Sequence, residues 1–194
     1  HEHLSYVSVH PLLHLMQAHG MQVFDIQYFA DIHGGSIRVF VSRSHDYPVQ
    51  KSVSAFLEQE EKFGIKSRRP YEAFASRVLT NKQQLRALIS RLHAEGKSIW
   101  AYGASAKGNT LMNFFELTKD VIPVVIDDNP KKWDYYTPGS RMRIAGISEL
   151  KQSRVDYLLL LAWNFQSEIV RRCKAADYSG QYIVPVPEPK IIPS

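Results

Sequence analysis

The fold of this chain is decided by the stretch Ile99-Trp100-Ala101-Tyr102-Gly103-Ala104-Ser105-Ala106-Lys107-Gly108-Asn109-Thr110-Leu111. Its apolar start predicts a buried strand, and the small residues that follow predict a loop that opens a helix. This arrangement can hold a phosphate group on backbone N–H groups and a helix N-terminus. The stretch therefore predicts an anionic, nucleotide-linked ligand. The alternative is a tight strand-to-helix turn without a ligand.

The glycine spacing limits which nucleotide this loop would bind. In the dinucleotide fingerprint Gly-x-Gly-x-x-Gly, Gly103 and Gly108 are in place, but Ser105 stands where a glycine lets a pyrophosphate approach the backbone. An acidic residue should follow about 20 residues later, and Asp127 and Asp128 do follow an apolar run. These two carboxylates would bind a ribose or, as readily, cap a helix.

A P-loop is a poorer description of the same residues. Asn109 stands where the P-loop lysine belongs, and Lys107 comes two positions too early. We therefore do not expect hydrolysis of a nucleoside triphosphate.

Composition narrows the class of protein. The 194 residues can form one or two domains with a sizeable core. The net charge of +5 comes from scattered basic residues without a nucleic-acid motif. No apolar stretch reaches the roughly 20 residues of a membrane helix. We expect a cytoplasmic protein with no nucleic-acid and no membrane partner. The lone Cys173 allows no internal disulfide and is expected in the core.

The predicted elements divide the chain into three parts. Residues 1–44 predict a helix from Pro11 to His19 and a hairpin of strands 21–29 and 37–41. Residues 45–96 predict a helical connector. Residues 97–194 predict an α/β domain, because apolar strands alternate with helices. Its predicted strands are Ser98–Tyr102, Ile122–Ile126, Tyr157–Ala162 and Gln181–Val186, and its predicted helices are Asn109–Leu117 and Phe165–Ala176.

Several landmarks together resemble one family, the S-adenosylmethionine-dependent sugar C-methyltransferases, which act on nucleotide-linked keto-deoxysugars. The resemblance is to the C-terminal half of these enzymes and spans essentially the whole chain. It is carried, in this order, by His1-Glu2-His3-Leu4-Ser5-Tyr6, His33-Gly34-Gly35-Ser36-Ile37-Arg38, Tyr102 to Thr110, Leu160-Leu161-Ala162-Trp163-Asn164 and Pro185-Val186-Pro187-Glu188-Pro189.

The resemblance implies an organisation and a set of cofactors. Such enzymes have an N-terminal zinc-binding module, a methyltransferase domain that binds S-adenosylmethionine, and a C-terminal Rossmann-like domain. This chain starts at His1 without an initiator Met, so we expect a piece that holds the end of the second domain and all of the third. Both cofactors would then lie in the remainder of the same polypeptide, which is a partner of this piece. We expect none within the chain and no methyl transfer by the chain alone.

The resemblance also implies a catalytic group, His3. In the family, the second His of the His-Glu-His motif is thought to act as a general base that deprotonates the carbon next to the keto group. Imidazole suits this role because its pKa lies near neutrality. Glu2 would orient His3 or hydrogen-bond the sugar, and Tyr6 would line the sugar pocket. An ordinary surface histidine and a packed tyrosine are the alternatives.

A nucleotide-linked sugar, held between the two domains, would need further contacts. Lys107 would neutralise its diphosphate, and hydroxyl and amide groups near it would donate hydrogen bonds. Stacking and hydrogen bonding to base or sugar would come from the end of a later strand. The candidate substrate-binding residues are Ser105, Lys107, Asn109, Thr110, Trp163, Asn164 and His33, with Arg38 as a weaker candidate. Helix capping, a solvated lysine and a buried tryptophan are the alternatives.

Two other interpretations stay open. His10, His14 and His19 would have to converge with other ligands to bind zinc, so helix-surface histidines are favoured. The rival functions are an NAD-dependent Rossmann oxidoreductase and a non-catalytic nucleotide-sugar-binding module.

Overall fold

The computed structural model describes residues 5–32, 35–43 and 46–194. The chain forms two compact units, His1–Ser76 and Arg77–Ser194. The domain division predicted from the sequence, at residues 44/45 and 96/97, stays a prediction. Within the described ranges, no helix has both the length and the apolar character of a membrane span.

The first unit packs helices on a two-stranded sheet. Helix α1 (Val9–Ala18) leads into an antiparallel hairpin of β1 (Gln22–Phe29) and β2 (Ser36–Ser42), followed by helix α2 (Lys51–Phe63). These elements lie close to the predicted bounds. Their core is small and consists of Val9, Val23, Ile26 and Val53.

A carboxylate of α2 closes the N-terminus of α1. The side chain of Glu60 accepts hydrogen bonds from the backbone N–H groups of Val9 (2.6 Å) and His10 (2.9 Å), and contacts the His10 ring at 2.7 Å. It thereby supplies partners for N–H groups that a helix start leaves open. Burial raises the pKa of Glu60, but these hydrogen bonds outweigh burial and hold it below its usual value. His10 is thus a partner of Glu60, while His14 and His19 are exposed.

The second unit is built on a six-stranded sheet with the order β5-β4-β3-β6-β7-β8. The first five strands of this order run parallel, and β8 is antiparallel to β7. The strands are β3 (Ile99–Tyr102), β4 (Val124–Ile126), β5 (Arg143–Ala145), β6 (Tyr157–Leu160), β7 (Gln181–Val184) and β8 (Lys190–Ile192). The predicted α/β class with a parallel sheet is confirmed.

Helices cover the sheet on both faces. Helix α3 (Arg69–Ala94) and helix α4 (Ala106–Phe114) contribute to one buried cluster, with Leu85 and Met112 among its members. Helix α5 (Gln166–Ala175) contributes Ile169 and Cys173 to a second cluster. Neighbouring strand residues alternate between the two clusters, because successive side chains point to opposite faces. The predicted core position of Cys173 is confirmed, and burial raises the pKa of its thiol to about 12.

Two strands of the sheet were missing from the sequence prediction. Strands β5 and β8 have three residues each, which is too short to show a two-residue alternation. Each is a strand because it pairs with a strand of the sheet, β5 with β4 and β8 with β7.

The strand order reverses between β3 and β6, which are neighbours although β4 and β5 lie between them in the chain. This order corresponds to the doubly wound fold, in which ligands bind outside the carboxyl ends of the strands at the reversal. The loop after β3 and the loop after β6 therefore meet at one edge of the sheet. We call this place the switch point.

Glycine lets the two loops of the switch point approach closely. Gly103 has a φ of +98°, and a Cβ there would lie 2.8 Å from the Cβ of Ala162. A Cβ on Gly108, in the first turn of α4, would lie 2.7 Å from the Cβ of Leu161. Both distances are too short for real atoms, so both positions need glycine for packing, and Gly103 also needs it for its backbone conformation.

Replacing Gly103 by alanine tests the close approach, and Gly96 is the matched control. Both residues have positive φ, but a Cβ on Gly96 would meet no described atom within 4 Å. We expect Gly96→Ala to lower the free energy of unfolding by about 1 kcal/mol from the backbone conformation alone. Gly103→Ala should cost about 1–3 kcal/mol more because of the overpacking. Denaturant unfolding of both variants measures the difference, and equal losses would contradict the packing role.

Candidate functional site

Helix α4 begins at Ala106, three residues before the predicted start at Asn109. Ser105 is its N-cap, and the hydroxyl oxygen of Ser105 accepts a hydrogen bond from the N–H of Gly108 at 3.1 Å. The alternative role of Asn109 or Thr110 as the helix cap is therefore wrong. The physical reason is that the serine side chain satisfies a helix N–H one turn earlier. As a result, Lys107 lies in the first turn of α4, at the positive end of the helix dipole.

The switch point brings Lys107 and Trp163 together. The Lys107 Nζ atom lies 4.1 Å from the centroid of the Trp163 ring, which is within the range of a cation–π contact. Trp163 begins a short 3₁₀ turn (Trp163–Phe165) directly beyond β6 and packs against both buried clusters. Burial holds the pKa of Lys107 below the usual lysine value. The site therefore contains a partly dehydrated cation at a helix N-terminus.

The other candidates near Lys107 make contacts within the helix or face solvent. The hydroxyl of Thr110 donates to the Ala106 carbonyl at 3.1 Å. The side-chain oxygen of Asn109 accepts from the Asn113 amide at 3.3 Å. Asn164 is exposed beside Trp163. Binding roles for these residues stay predictions, and Ser105, Lys107 and Trp163 are the candidates whose placement fits best.

Asp127 holds the loop of the switch point in place. It is only 8% exposed. Its carboxylate accepts from the N–H groups of Ala104 (2.8 Å) and Asn129 (3.0 Å) and from the ammonium of Lys132 (3.2 Å). The same ammonium donates to the Ala104 carbonyl at 2.9 Å. We call Ala104, Asp127 and Lys132 the loop clamp. The loop clamp provides hydrogen-bond partners for both the N–H and the carbonyl of Ala104. No pattern in the sequence predicted this role for Lys132.

Asp128 has internal partners as well. The buried hydroxyl of Tyr102 donates to the Asp128 carboxylate at 2.7 Å, and Arg172 of α5 pairs with it at 2.9 Å. Burial and the neighbouring Asp128 raise the pKa of Tyr102 above its usual range. Both acidic residues after β4 thus support the protein itself, which weakens their predicted alternative role as ribose ligands.

Several candidates lie in the first unit or outside the described residues. Glu2, His3 and His33 are outside the described residues. Tyr6 is described, precedes α1 and is 91% exposed. Arg38 lies 5.0 Å from the centroid of the Phe29 ring, which gives this weaker candidate a local partner. In the described part of the chain, no three His, Cys, Asp or Glu side chains are grouped as metal ligands.

Removing the Asp127 carboxylate tests the loop clamp. Asp127→Ala leaves the N–H groups of Ala104 and Asn129 without their buried acceptor and leaves the Lys132 ammonium with only the Ala104 carbonyl. We therefore expect the free energy of unfolding to fall by about 2–4 kcal/mol. Asp120→Ala is the control, because Asp120 is an exposed carboxylate of the same unit and should change stability by less than about 0.5 kcal/mol. Equal effects in chemical denaturation would show that the clamp contributes nothing to stability.

The sequence of this chain is similar to known C-methyltransferases. A family model described as "C-methyltransferase C-terminal domain" matches residues 31–187. The C-methyltransferase NovU of Streptomyces niveus is 38% identical over 194 residues, an alignment that covers 99% of this chain and 46% of NovU. The chain therefore spans less than half the length of this relative.

Proposed function

Because this chain belongs to the family of C-methyltransferase C-terminal domains, we propose that it is part of a longer, S-adenosylmethionine-dependent C-methyltransferase. The substrate in this proposal is a nucleotide-linked deoxysugar, methylated at a carbon next to its keto group. The second unit of this chain binds the nucleotide part of that substrate, and the residues at the chain start supply the base. The resemblance of the sequence motifs and the similarity to NovU support this assignment.

The observation that carries the binding part of the proposal is the position of Lys107. Its ammonium lies in the first turn of α4 at the switch point, over the Trp163 ring. A helix N-terminus and a lysine are both attractive to phosphate groups. Because burial lowers the pKa of Lys107, its charge is poorly compensated in the structure as it stands. A diphosphate beside α4 would compensate it, so binding would raise the pKa of Lys107 again.

The catalytic part of the proposal rests on the family resemblance. His3 removes the proton from the carbon beside the keto group, and the resulting carbanion accepts the methyl group. Glu2 orients His3 or hydrogen-bonds the sugar, and Tyr6 lines the sugar pocket. S-Adenosylmethionine supplies the methyl group when it is bound elsewhere in the longer polypeptide. The second unit does not fit that cofactor, because the carboxylates that would hold its ribose already have the internal partners described above.

The same observation weakens the NAD-dependent oxidoreductase as an alternative. A dinucleotide at the switch point needs an acidic residue for its ribose and a glycine at the middle of the loop, where the pyrophosphate approaches the backbone. The Asp127 carboxylate already accepts the hydrogen bonds of the loop clamp, and the Ser105 hydroxyl already caps α4. A non-catalytic nucleotide-sugar-binding module would share the diphosphate site and would differ only in having no base.

A titration of this chain with a nucleoside diphosphate tests the binding site. Lys107→Ala removes one charge-assisted contact worth about 1.5–3 kcal/mol, so we expect the affinity for UDP to fall about 10- to 150-fold. Lys119→Ala is the control, because Lys119 is an exposed lysine beyond the opposite end of α4. If calorimetry finds the same UDP affinity in wild type and Lys107→Ala, Lys107 does not contact the diphosphate and the loop is only a structural turn. Tight binding of NAD in the same assay would favour the oxidoreductase.

The pH dependence of this affinity gives a second measurement of the same site. Diphosphate binding needs the charged form of Lys107. The affinity for UDP should therefore be highest below the pKa of Lys107 and should fall as the pH rises through that pKa. Since burial lowers that pKa, the loss should begin at a lower pH than the range in which an ordinary lysine, with a pKa of about 10.4, loses its charge. In Lys107→Arg the guanidinium stays charged, and the affinity should stay level over this range. Parallel profiles for the two proteins would contradict the assignment.

The role of His3 is tested in the full-length enzyme that contains this chain. His3→Asn should lower turnover by about 10²-fold or more, with a smaller effect on substrate affinity. It should also slow the exchange of the substrate's α-proton with deuterated solvent, which NMR follows without methyl transfer. His19→Asn, an exposed histidine on the first unit, is the control. Unchanged exchange in His3→Asn would assign the base elsewhere, with Glu2 and Tyr6 tested next.

A further inference from the structure

The loop after β4 carries a tryptophan that is anchored but not buried. The indole N–H of Trp133 donates to the backbone carbonyl of Asp127 at 2.7 Å. The six-membered ring lies against Gly146, where a Cβ would come within 2.8 Å of it. Even so, 38% of Trp133 stays exposed. The residue is therefore a rigid aromatic surface whose orientation is set before any ligand arrives.

This indole is tied directly to the loop of the switch point. Asp127 holds Trp133 through its backbone carbonyl and the Ala104 N–H through its carboxylate. Lys132, the residue before Trp133, donates to the Ala104 carbonyl. Every link of this chain of contacts is a hydrogen bond of ordinary length. A ligand with its phosphates at the start of α4 would thus lie next to the loop to which Trp133 is tied.

The other two tryptophans of the chain do not present a free ring face to a ligand. Trp100 is buried in the sheet and is 8% exposed. Trp163 packs against both buried clusters and has the Lys107 ammonium on its ring. An aromatic ring that already carries a cation offers less surface to a flat, uncharged ligand group. The stacking role that the sequence suggests for Trp163 therefore fits Trp133 better.

We propose that Trp133 is the stacking surface for the nucleobase of the ligand, a role that rests on the proposed diphosphate site at Lys107. The ligand class is a nucleoside diphosphate whose phosphates lie at the N-terminus of α4 and whose base lies on the indole. Stacking on an aromatic side chain contributes affinity to any base, because every base has a π-face. The indole therefore supplies affinity, and choice among bases comes from polar contacts elsewhere. Tyr135 and Tyr136, exposed to 68% and 63%, extend the aromatic character of this loop.

The test separates the base from the phosphates by using two probes, UDP and inorganic pyrophosphate. Trp133→Leu removes the aromatic ring but keeps an apolar side chain. We expect its UDP affinity to fall about 5- to 150-fold and its pyrophosphate affinity to stay within about twofold. Trp133→Phe keeps a ring and should retain most of the UDP affinity. Phe114→Leu is the matched control, because Phe114 is 47% exposed at the other end of α4, and it should change neither affinity.

Each outcome of these titrations counts for or against the stacking role. Equal UDP affinity in wild type and Trp133→Leu overturns it. A parallel loss of UDP and pyrophosphate affinity also overturns it, because Trp133 would then act only by supporting the loop. If wild type binds neither probe, the diphosphate site and the stacking role fail together. If wild type binds both and Trp133→Leu binds UDP normally, the stacking role alone fails.

A fluorescence measurement covers the case in which Trp133→Leu does not fold. A base stacked on the indole quenches its emission, so UDP should quench wild type and pyrophosphate should not. The quenching by UDP should disappear in Trp133→Phe, which keeps Trp100 and Trp163. Quenching of equal size in wild type and Trp133→Phe would overturn the proposal.

Discussion

The carboxylate of Asp127 is the interaction on which the candidate site depends. It holds the N–H of Ala104 while Lys132 holds the carbonyl of the same residue, so the direction of the chain after β3 is determined at that point. Ser105 follows immediately and caps α4, which places Lys107 in the first turn. A buried carboxylate beside several donors contributes more to stability than the same contacts in water, because the surroundings screen its charge less. The loop can therefore keep one conformation without a ligand.

The close approach of the loops after β3 and β6 adds a second constraint. Gly103 and Gly108 leave no room for a Cβ against Ala162 and Leu161, so α4 starts directly over the end of β6. That contact puts Lys107 on the Trp163 ring and withdraws the ammonium from water. A binding cation that is partly dehydrated beforehand loses less hydration when an anion arrives. Under the proposed function, the nucleotide would meet residues that the fold has already positioned.

Much of the second unit was predictable because most of its strands lie in apolar runs of the sequence that alternate with helical segments. The parallel α/β class, the positions of β3 and β6 in the chain and the core position of Cys173 followed from that pattern. The start of α4 did not, since Ser105 and Asn109 are both good capping residues and only the hydrogen bond to Gly108 decides between them. Strand β5 was missed because three residues show no periodicity and become a strand only beside β4.

The sequence by itself determined the class of fold, the loop that opens α4 and the family, because local composition and motif order are properties of neighbouring residues. The tertiary structure decided which side chains meet. Lys107 and Trp163 are far apart in the chain and touch because β3 and β6 are adjacent strands. Asp127 resembled a ribose ligand in the sequence, yet Ala104, Asn129 and Lys132 occupy its carboxylate. No pattern in the sequence indicated a role for Trp133. Its exposure and its anchor depend on Gly146 and Asp127, and only packing brings these residues together.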